Sequence, residues 1–349
     1  MDLDPSLDVR HYRMPAEWAP HEGTVLTWPH RPAIWRGLHD AVLSLFAKLA
    51  AELSEVETVH INVPHAEWRD RALNNVTRAG GDPKRLVWHL VDSDDVWARD
   101  HGPIFVKALD PQAAQQLAML DWGFNAWGGK FASELDNLVP REMNRTWGLP
   151  RIEPGLVMEG GSLEVNGRGD LLTTESVLLN TNRNPEFDRA GIEKSLKDHL
   201  GVQRLHWLGD GLEGDDTDGH IDDMARFVSD DTIVVVAPPP GHLDHEAMAE
   251  NIVRLKAMRG ADGRPFQIVA LPVPEPIRFQ GEHLPASYAN FYLANGKALV
   301  PVFRQKTDDA ALAILRELLP GRQVIGLDAR ALVSQYGGIH CITQQIPAV

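Results

Sequence analysis

The sequence predicts an α/β fold assembled from repeated strand–helix units, and three observations carry that expectation. Amphipathic helical patterns return at intervals of roughly 50 to 65 residues. Short runs rich in β-branched residues fill the stretches between them. No glycine-rich phosphate loop follows any of those runs, so the usual mark of a nucleotide-binding open sheet is missing.

In chain order, "DAVLSLFAKLAAELSEV" (40–56) places apolar residues at helical spacing behind an Asp. The β-type runs "TVHINV", "RLVWHLV" and "PIFVKA" follow, then a weaker helix candidate over 132–146. "DLLTTESVLL" reads as a strand, and "DRAGIEKSLKDHLG" (188–201) as a helix stopped by a C-terminal Gly. "DTIVVVAP" precedes a helix over 244–260, and "QIVALPV" and "KALVPVF" come next. A helix over 307–321 opens on Thr-Asp-Asp and stops at Pro-Gly, before a last run, "QVIGL". With no linker or low-complexity segment between them, these elements read as one domain over residues 1–349.

Composition narrows the function. The hydrophobic fraction of 43% and charged fraction of 24% fit a soluble globular protein. The N-terminus lacks a signal-peptide pattern and no apolar run is long enough to span a membrane, so a cytoplasmic protein is expected. A net charge of −15, from 34 basic and 49 acidic residues, argues against nucleic acid and mildly favours a cationic partner. Cys341 is the single cysteine, which excludes an internal disulfide and any multi-cysteine metal site. A lone cysteine is either a small buried apolar residue or a nucleophile, and the second role needs a histidine elsewhere.

Three polar clusters offer partners. "GDDTDGHIDDMARF" (214–227) holds His220 and Asp222; if a strand starts there, both point to one face. It could equally be an acidic surface loop, and its spacing is not that of an EF-hand. "DSDDVWARDHGPIFV" (92–106) sets Asp100 at a Gly-Pro turn, where an internal Arg99–Asp100 pair is the simpler alternative. In "MEGGSLEVNGRGDLLTTESVLLNTNRNP" (158–185), Glu159 precedes a Gly-Gly pair, and "NGRG" fits a hairpin turn. One thiol, one histidine and three carboxylates exceed what a papain-type hydrolase uses, which is one orienting group behind its histidine. The spare carboxylates suit a planar guanidinium, which meets carboxylates in bidentate pairs.

With "MPAEWAPHEGTVLTWPH", "WARDHGPIFV", "DWGFNAWGGK", "LPASYANFYLANGKALVPVF" and "GGIHCITQQIP" added in the right order, the chain closely resembles agmatine deiminases of the guanidino-group-modifying (pentein) superfamily. The resemblance implies a five-bladed α/β propeller of ββαβ-type units with pseudo-fivefold symmetry, its active site on the axis. It implies hydrolysis of agmatine to N-carbamoylputrescine and ammonia, in polyamine (putrescine) biosynthesis, through a covalent thiouronium on Cys341. Carried over by motif, Cys341 is the nucleophile, His220 the general acid/base, Asp100 and Asp222 the guanidinium-binding carboxylates, and Glu159 the acid that orients His220. No cofactor and no metal is implied. Gly338 and His101 depart from the residues usual at their places in the family.

For the far, ammonium end of the substrate, Trp97, Trp127, Asp218 and Asp95 are the candidates, and the pocket should lack an arginine aimed at a carboxylate. Gly337 and Gly338 are expected to let the chain turn tightly before Cys341. Rival readings are a peptidylarginine deiminase, a thiol amidase, and a non-catalytic propeller that binds cationic ligands. A homo-oligomer is left open.

Overall fold

The computed structural model describes residues 7–349; residues 1–6, the start of the segment read as lacking a leader, lie outside them. The four strong helical patterns form helices His39–Ser54, Arg189–Leu200, His245–Ala257 and Thr307–Leu318. Each lays an apolar stripe on the core; His39–Ser54 buries Val42, Leu45, Phe46, Leu49 and Leu53. Asp188 caps its helix by accepting the Gly191 N–H, and Gly201 ends it in the left-handed region at φ 64°. The weak pattern is a 3₁₀ turn, Asp136–Leu138, running into helix Val139–Trp147. Ala66–Arg78 is an additional helix that apolar spacing does not signal, because only Ala72 and Val76 of its thirteen residues are buried.

Five sheets repeat one connection: an antiparallel pair, a helix, then a parallel partner. Tyr292–Ala294, Lys297–Val302 and Gln323–Asp328 are one such unit, with Leu299 opposite Tyr292 on one side and Ile325 on the other. Ala225–Phe227, Thr232–Val236 and Gln267–Leu271 are another. Glu164–Val165, Asp170–Thr174 and Arg204–Leu208 form a third, and Ile104–Ala108, Leu117–Leu120 and Arg151–Ile152 a fourth. The fifth joins the two ends of the chain: Gln344–Pro347 lies antiparallel to His21–Thr27, which continues in parallel through Thr58–Val63 to Leu86–Leu90. A separate hairpin, Ile277–Phe279 with Glu282–Leu284, stands outside these units. The α/β class and the strand–helix cadence are those expected from sequence.

Two local expectations are corrected. "DLLTTESVLL" is a strand only to Thr174 and then a short helix, Glu175–Leu178. "HIDDMARF" does not start a strand at His220; a 3₁₀ turn, Ile221–Asp223, comes first and the strand begins at Ala225. The cause is local capture of the backbone. The Asp215 carboxylate accepts the N–H groups of Thr217, Gly219 and His220 at 2.8, 3.0 and 3.1 Å, and those groups are lost to a ladder. "NGRG" is the expected turn: the Asn166 side-chain oxygen accepts from the Arg168 and Asp170 N–H groups as the chain reverses into Asp170–Thr174. Among the described residues, no helix is long and apolar enough to cross a membrane.

Candidate active site

Four loops at strand ends bring the sequence-predicted polar residues together. Asp100 sits in the short helix Ala98–His101, and the Arg99 N–H donates to the carbonyl of Cys341 at 3.0 Å, tying that loop to the C-terminal one. Arg99 does not pair with Asp100; its guanidinium lies 3.5 Å from Glu17. Asp100 Oδ1 accepts the Gly161 N–H at 3.0 Å, and its Oδ2 accepts the Trp127 indole N–H at 3.1 Å. Gly161 is where the Gly-Gly pair matters: a Cβ there would lie 2.5 Å from His220 Nδ1 and 2.9 Å from Asp100 Oδ1.

His220 is buried between two carboxylates, its Nδ1 3.8 Å from Asp100 Oδ1 and its Nε2 4.0 Å from Glu159 Oε2. Both distances exceed a hydrogen bond. Among the described residues, neither ring nitrogen has a hydrogen-bond partner, and the same holds for Glu159 Oε2 and Asp222 Oδ1. The other halves of these acids are anchored. Glu159 Oε1 accepts from Arg183 Nε at 2.8 Å, and Asp222 Oδ2 lies 2.7 Å from His340 Nδ1. The result is a set of buried polar atoms held in place from behind and unsatisfied in front, which native interiors rarely leave so.

Cys341 closes the group. Its Sγ lies 3.9 Å from Asp222 Oδ2 and 3.1 Å from the Asn290 side-chain nitrogen, and it accepts the Gly338 N–H at 3.4 Å. Asn290 also donates to Asp223 Oδ1 at 3.0 Å. Gly337 and Gly338 are not in the left-handed region, so the expectation of a tight glycine turn is corrected; the positive φ of this loop, 67°, belongs to Tyr336. The glycines answer to close packing instead, since a Cβ at Gly337 would collide with the Trp97 ring and one at Gly338 with the Asn290 side chain.

Burial dominates the electrostatics. It pushes the Cys341 thiol well above its usual value, with Asp222, Asp223 and Asp100 adding to the rise. Asp100 is pushed up to about 6 by burial and by Asp222 and Glu159, against the pull of His220. Burial would lower His220, but Asp100, Asp222 and Glu159 outweigh it and raise the imidazole. Burial would raise Asp222, yet His340 outweighs it and holds this carboxyl below its usual value.

A cavity of about 330 Å³ opens over the thiol. Cys341, Asp100, Trp97, Trp127 and Asp95 line it, as do Asp216 and Asp223. Asp218 does not line it; its carboxylate is engaged by Lys130 at 2.7 Å, by Asn182 and by Arg183. His101 is buried beside Phe124, away from the cavity wall. Arg36 is also on the wall, and its guanidinium donates to Glu282 at 2.6 Å.

Asp223, Asn290, Arg183 and His340 enter the site without having been singled out in the sequence. His340 is next to Cys341 and bridges Asp222 to Glu17, 2.6 Å from its Nε2. Its adjacency to Cys341 is the one signal that could have drawn attention to it. One set of three metal-donor atoms within 4.8 Å occurs among the described residues, on Asp222, Asp223 and Cys341.

The family model for the Porphyromonas-type peptidyl-arginine deiminase matches residues 13–347. The chain is 35% identical to the agmatine deiminase of Medicago truncatula, over 100% of both proteins. It superposes on the agmatine deiminase of Enterococcus faecalis with a TM-score of 0.90 at 29% identity, covering 99% of each chain. For a C. jejuni agmatine deiminase with a cysteine-to-serine change and substrate bound, the TM-score is 0.87 at 30% identity, over 97% of this chain and 96% of that one.

Proposed function

Since the chain belongs to the agmatine deiminase family of the guanidino-group-modifying (pentein) superfamily, we propose that it hydrolyses agmatine to N-carbamoylputrescine and ammonia with Cys341 as nucleophile. The observation that carries this reading is the set of unpartnered buried atoms around the thiol. Among the described residues, Glu159 Oε2 and Asp222 Oδ1 are buried carboxylate oxygens left as unpaired acceptors, on residues that neighbour His220 and Cys341. A guanidinium brings several N–H donors in one plane and fills such a set at one stroke.

In this mechanism Asp100 and Asp222 grip the guanidinium nitrogens and hold its central carbon against the sulfur, a proximity effect. The thiol is protonated in the free protein, because burial and three acids oppose a second negative charge. The bound cation reverses that balance, so substrate itself favours the thiolate, and the thiol proton passes to solvent. Sulfur attacks the carbon to give a tetrahedral adduct. His220, kept cationic by the surrounding acids, protonates the departing ammonia. The neutral imidazole, steadied by Glu159, then takes a proton from water as the oxygen attacks the thiouronium carbon. Collapse breaks the C–S bond as the hydroxyl proton of the adduct passes to the departing sulfur, leaving the ureido product and the thiol. His340 acts from behind, fixing one oxygen of Asp222, and Asn290 fixes the sulfur and Asp223.

The small-amine substrate is favoured over a peptide arginine by the cavity walls. Asp95 and Asp216 lie on them as carboxyls that burial raises to about 6 and about 7, and an ammonium bound beside them would favour their charged form. Arg36, the cation that would attract a carboxylate, is already paired with Glu282. At about 330 Å³ the space is near the small end for ligand pockets. We read the five sheets as blades about a pseudo-fivefold axis and the chain as one domain; their shared strand order supports this. A cytoplasmic place in putrescine formation follows from the same reading.

The test is ammonia release from the purified protein with agmatine, free arginine and an arginyl peptide in parallel, and Cys341→Ser as control. Turnover of agmatine alone, absent in the variant, is the expected result. Release from the peptide or from arginine instead keeps the chemistry and replaces the substrate.

A further inference from the structure

Three loops far apart in sequence meet at the cavity wall. Arg36 follows the 3₁₀ turn Pro32–Trp35, Tyr336 lies five residues before Cys341, and Glu282 stands in the hairpin outside the five sheets. Arg36 Nη1 donates to Glu282 Oε2 at 2.6 Å, and the Tyr336 hydroxyl donates to the same oxygen at 2.8 Å. The Arg36 guanidinium also lies 5.7 Å over the Tyr336 ring. Arg36 and Tyr336 line the cavity; Glu282 does not. Both lining residues hold left-handed backbones, at φ 49° and 67°, that L side chains seldom adopt. The neighbouring wall residues in the same loops are Ala33, Ile34, Gln335 and Gly337, none of which carries a negative charge.

This arrangement matters for a cationic substrate. An uncompensated guanidinium on the wall would repel an ammonium and attract a carboxylate. The only structural difference between the far ends of agmatine and arginine is that carboxylate. We infer that Glu282 is a specificity-determining residue: by occupying Arg36 from outside the cavity, it keeps the pocket receptive to a primary amine and closed to an α-carboxylate. The inference rests on the agmatine reading above and extends it to a residue that never touches substrate. Glu282 acts through Arg36, so it is a positioning residue and leaves the chemistry at Cys341 alone.

The experiment compares the unchanged chain with Glu282→Gln, Arg36→Gln and the double variant, reading kcat and KM for agmatine and for free arginine at low and high salt. In Glu282→Gln, KM for agmatine rises about threefold to tenfold, as expected for one released charge at a partly solvated wall, and kcat is retained. The rise shrinks in high salt, because the repulsion is screened. In the same variant kcat/KM for arginine increases. Removing Arg36 as well returns the agmatine KM to near its original value and cancels the gain on arginine, which a merely loosened hairpin would not do. A KM that the double variant fails to restore, a loss confined to kcat, or no change in the ratio of the two substrates overturns the inference while agmatine turnover by the unchanged chain stands. If the unchanged chain does not turn over agmatine, the function reading fails and this inference fails with it.

Discussion

Gly161 and His220 stand so close that the space between them admits no further atom: a Cβ on the glycine would lie 2.5 Å from the imidazole Nδ1. The same backbone N–H holds Asp100 at 3.0 Å. One residue without a side chain thus sets the position of both the proposed acid/base and a carboxylate proposed to bind the guanidinium. Gly161→Ala should fold, because the obstruction is a movable ring, but the imidazole must shift. A displacement of this kind costs about 10²-fold in rate. We expect kcat to fall by about that factor, with thermal stability lowered far less than activity. A variant with near-normal kcat would remove His220 from the proton-transfer role.

Arg183 anchors Glu159 from a fully buried position. Its Nε donates to Glu159 at 2.8 Å, its Nη2 to the Thr217 carbonyl at 2.9 Å, and its Nη1 reaches Asp218. Both members of the Glu159 pair have no exposed side-chain surface. Taking away one partner of a buried pair costs about 3–5 kcal/mol, because the other charge is left uncompensated. Arg183→Ala should therefore show that loss in denaturant unfolding together with near-complete loss of turnover. Arg183→Lys, which keeps charge but not the fork of donors, should recover part of the stability and little of the rate.

Much of this was legible in the chain, and the reasons differ by element. The helices His39–Ser54, Arg189–Leu200 and Thr307–Leu318 announce themselves because one face is buried, and Arg189–Leu200 also because Asp188 and Gly201 cap its ends. Ala66–Arg78 does not, since packing rests on two small or β-branched side chains and the rest faces solvent. His220 and Asp222 were found as a pair but for a geometric reason that does not hold, because side-chain oxygens of Asp215 and Thr217 take the backbone N–H groups a strand would use. Asn290 and Arg183 are illegible for a different reason. Both lie in segments that carry the family resemblance, but their roles are made by contacts across 51 and 24 residues of sequence that the segments themselves do not signal. Glu282 belongs with them: its partner is 246 residues away.

Asp136 ties the cavity wall to protein stability. It accepts the Asp94 and Asp95 N–H groups at 2.7 and 3.2 Å, holding the loop that carries Asp95. Burial, with the charge of Asp95 next, pushes this carboxyl up to about 8 from 3.8. A carboxyl raised by folding holds its proton in the native state where the unfolded chain has lost it. Its contribution is therefore complete below about pH 4 and drains away as pH climbs through about 8. Asn mimics the protonated acid and keeps an oxygen for the two N–H groups. The melting temperature of Asp136→Asn relative to the unchanged protein should rise between pH 5 and 9, by about 2–4 °C. A difference that stays flat over that range would mean the carboxyl is ionised throughout.

The thiol gives the sharpest contrast between free and liganded protein. Burial first, and then Asp222, Asp223 and Asp100, raise its pKa well above the usual cysteine value, so Cys341 is expected as a thiol at neutral pH. Only the thiolate reacts with iodoacetamide, and Cys341 is the single cysteine in the chain, so labelling reports on this site alone. In the free protein, labelling should be slow at pH 7 and rise steeply only above the pH at which ordinary thiols ionise. Guanidinium is the reactive head of the proposed substrate without its ammonium end. Once bound by Asp100 and Asp222 it offsets the acids that oppose ionisation, and the pH midpoint of labelling should move down. The shift should vanish in Asp100→Asn, where one of the two gripping charges is gone. Fast labelling at pH 7 without guanidinium would show a thiolate already present, and would place the activating charge on the protein instead of the substrate.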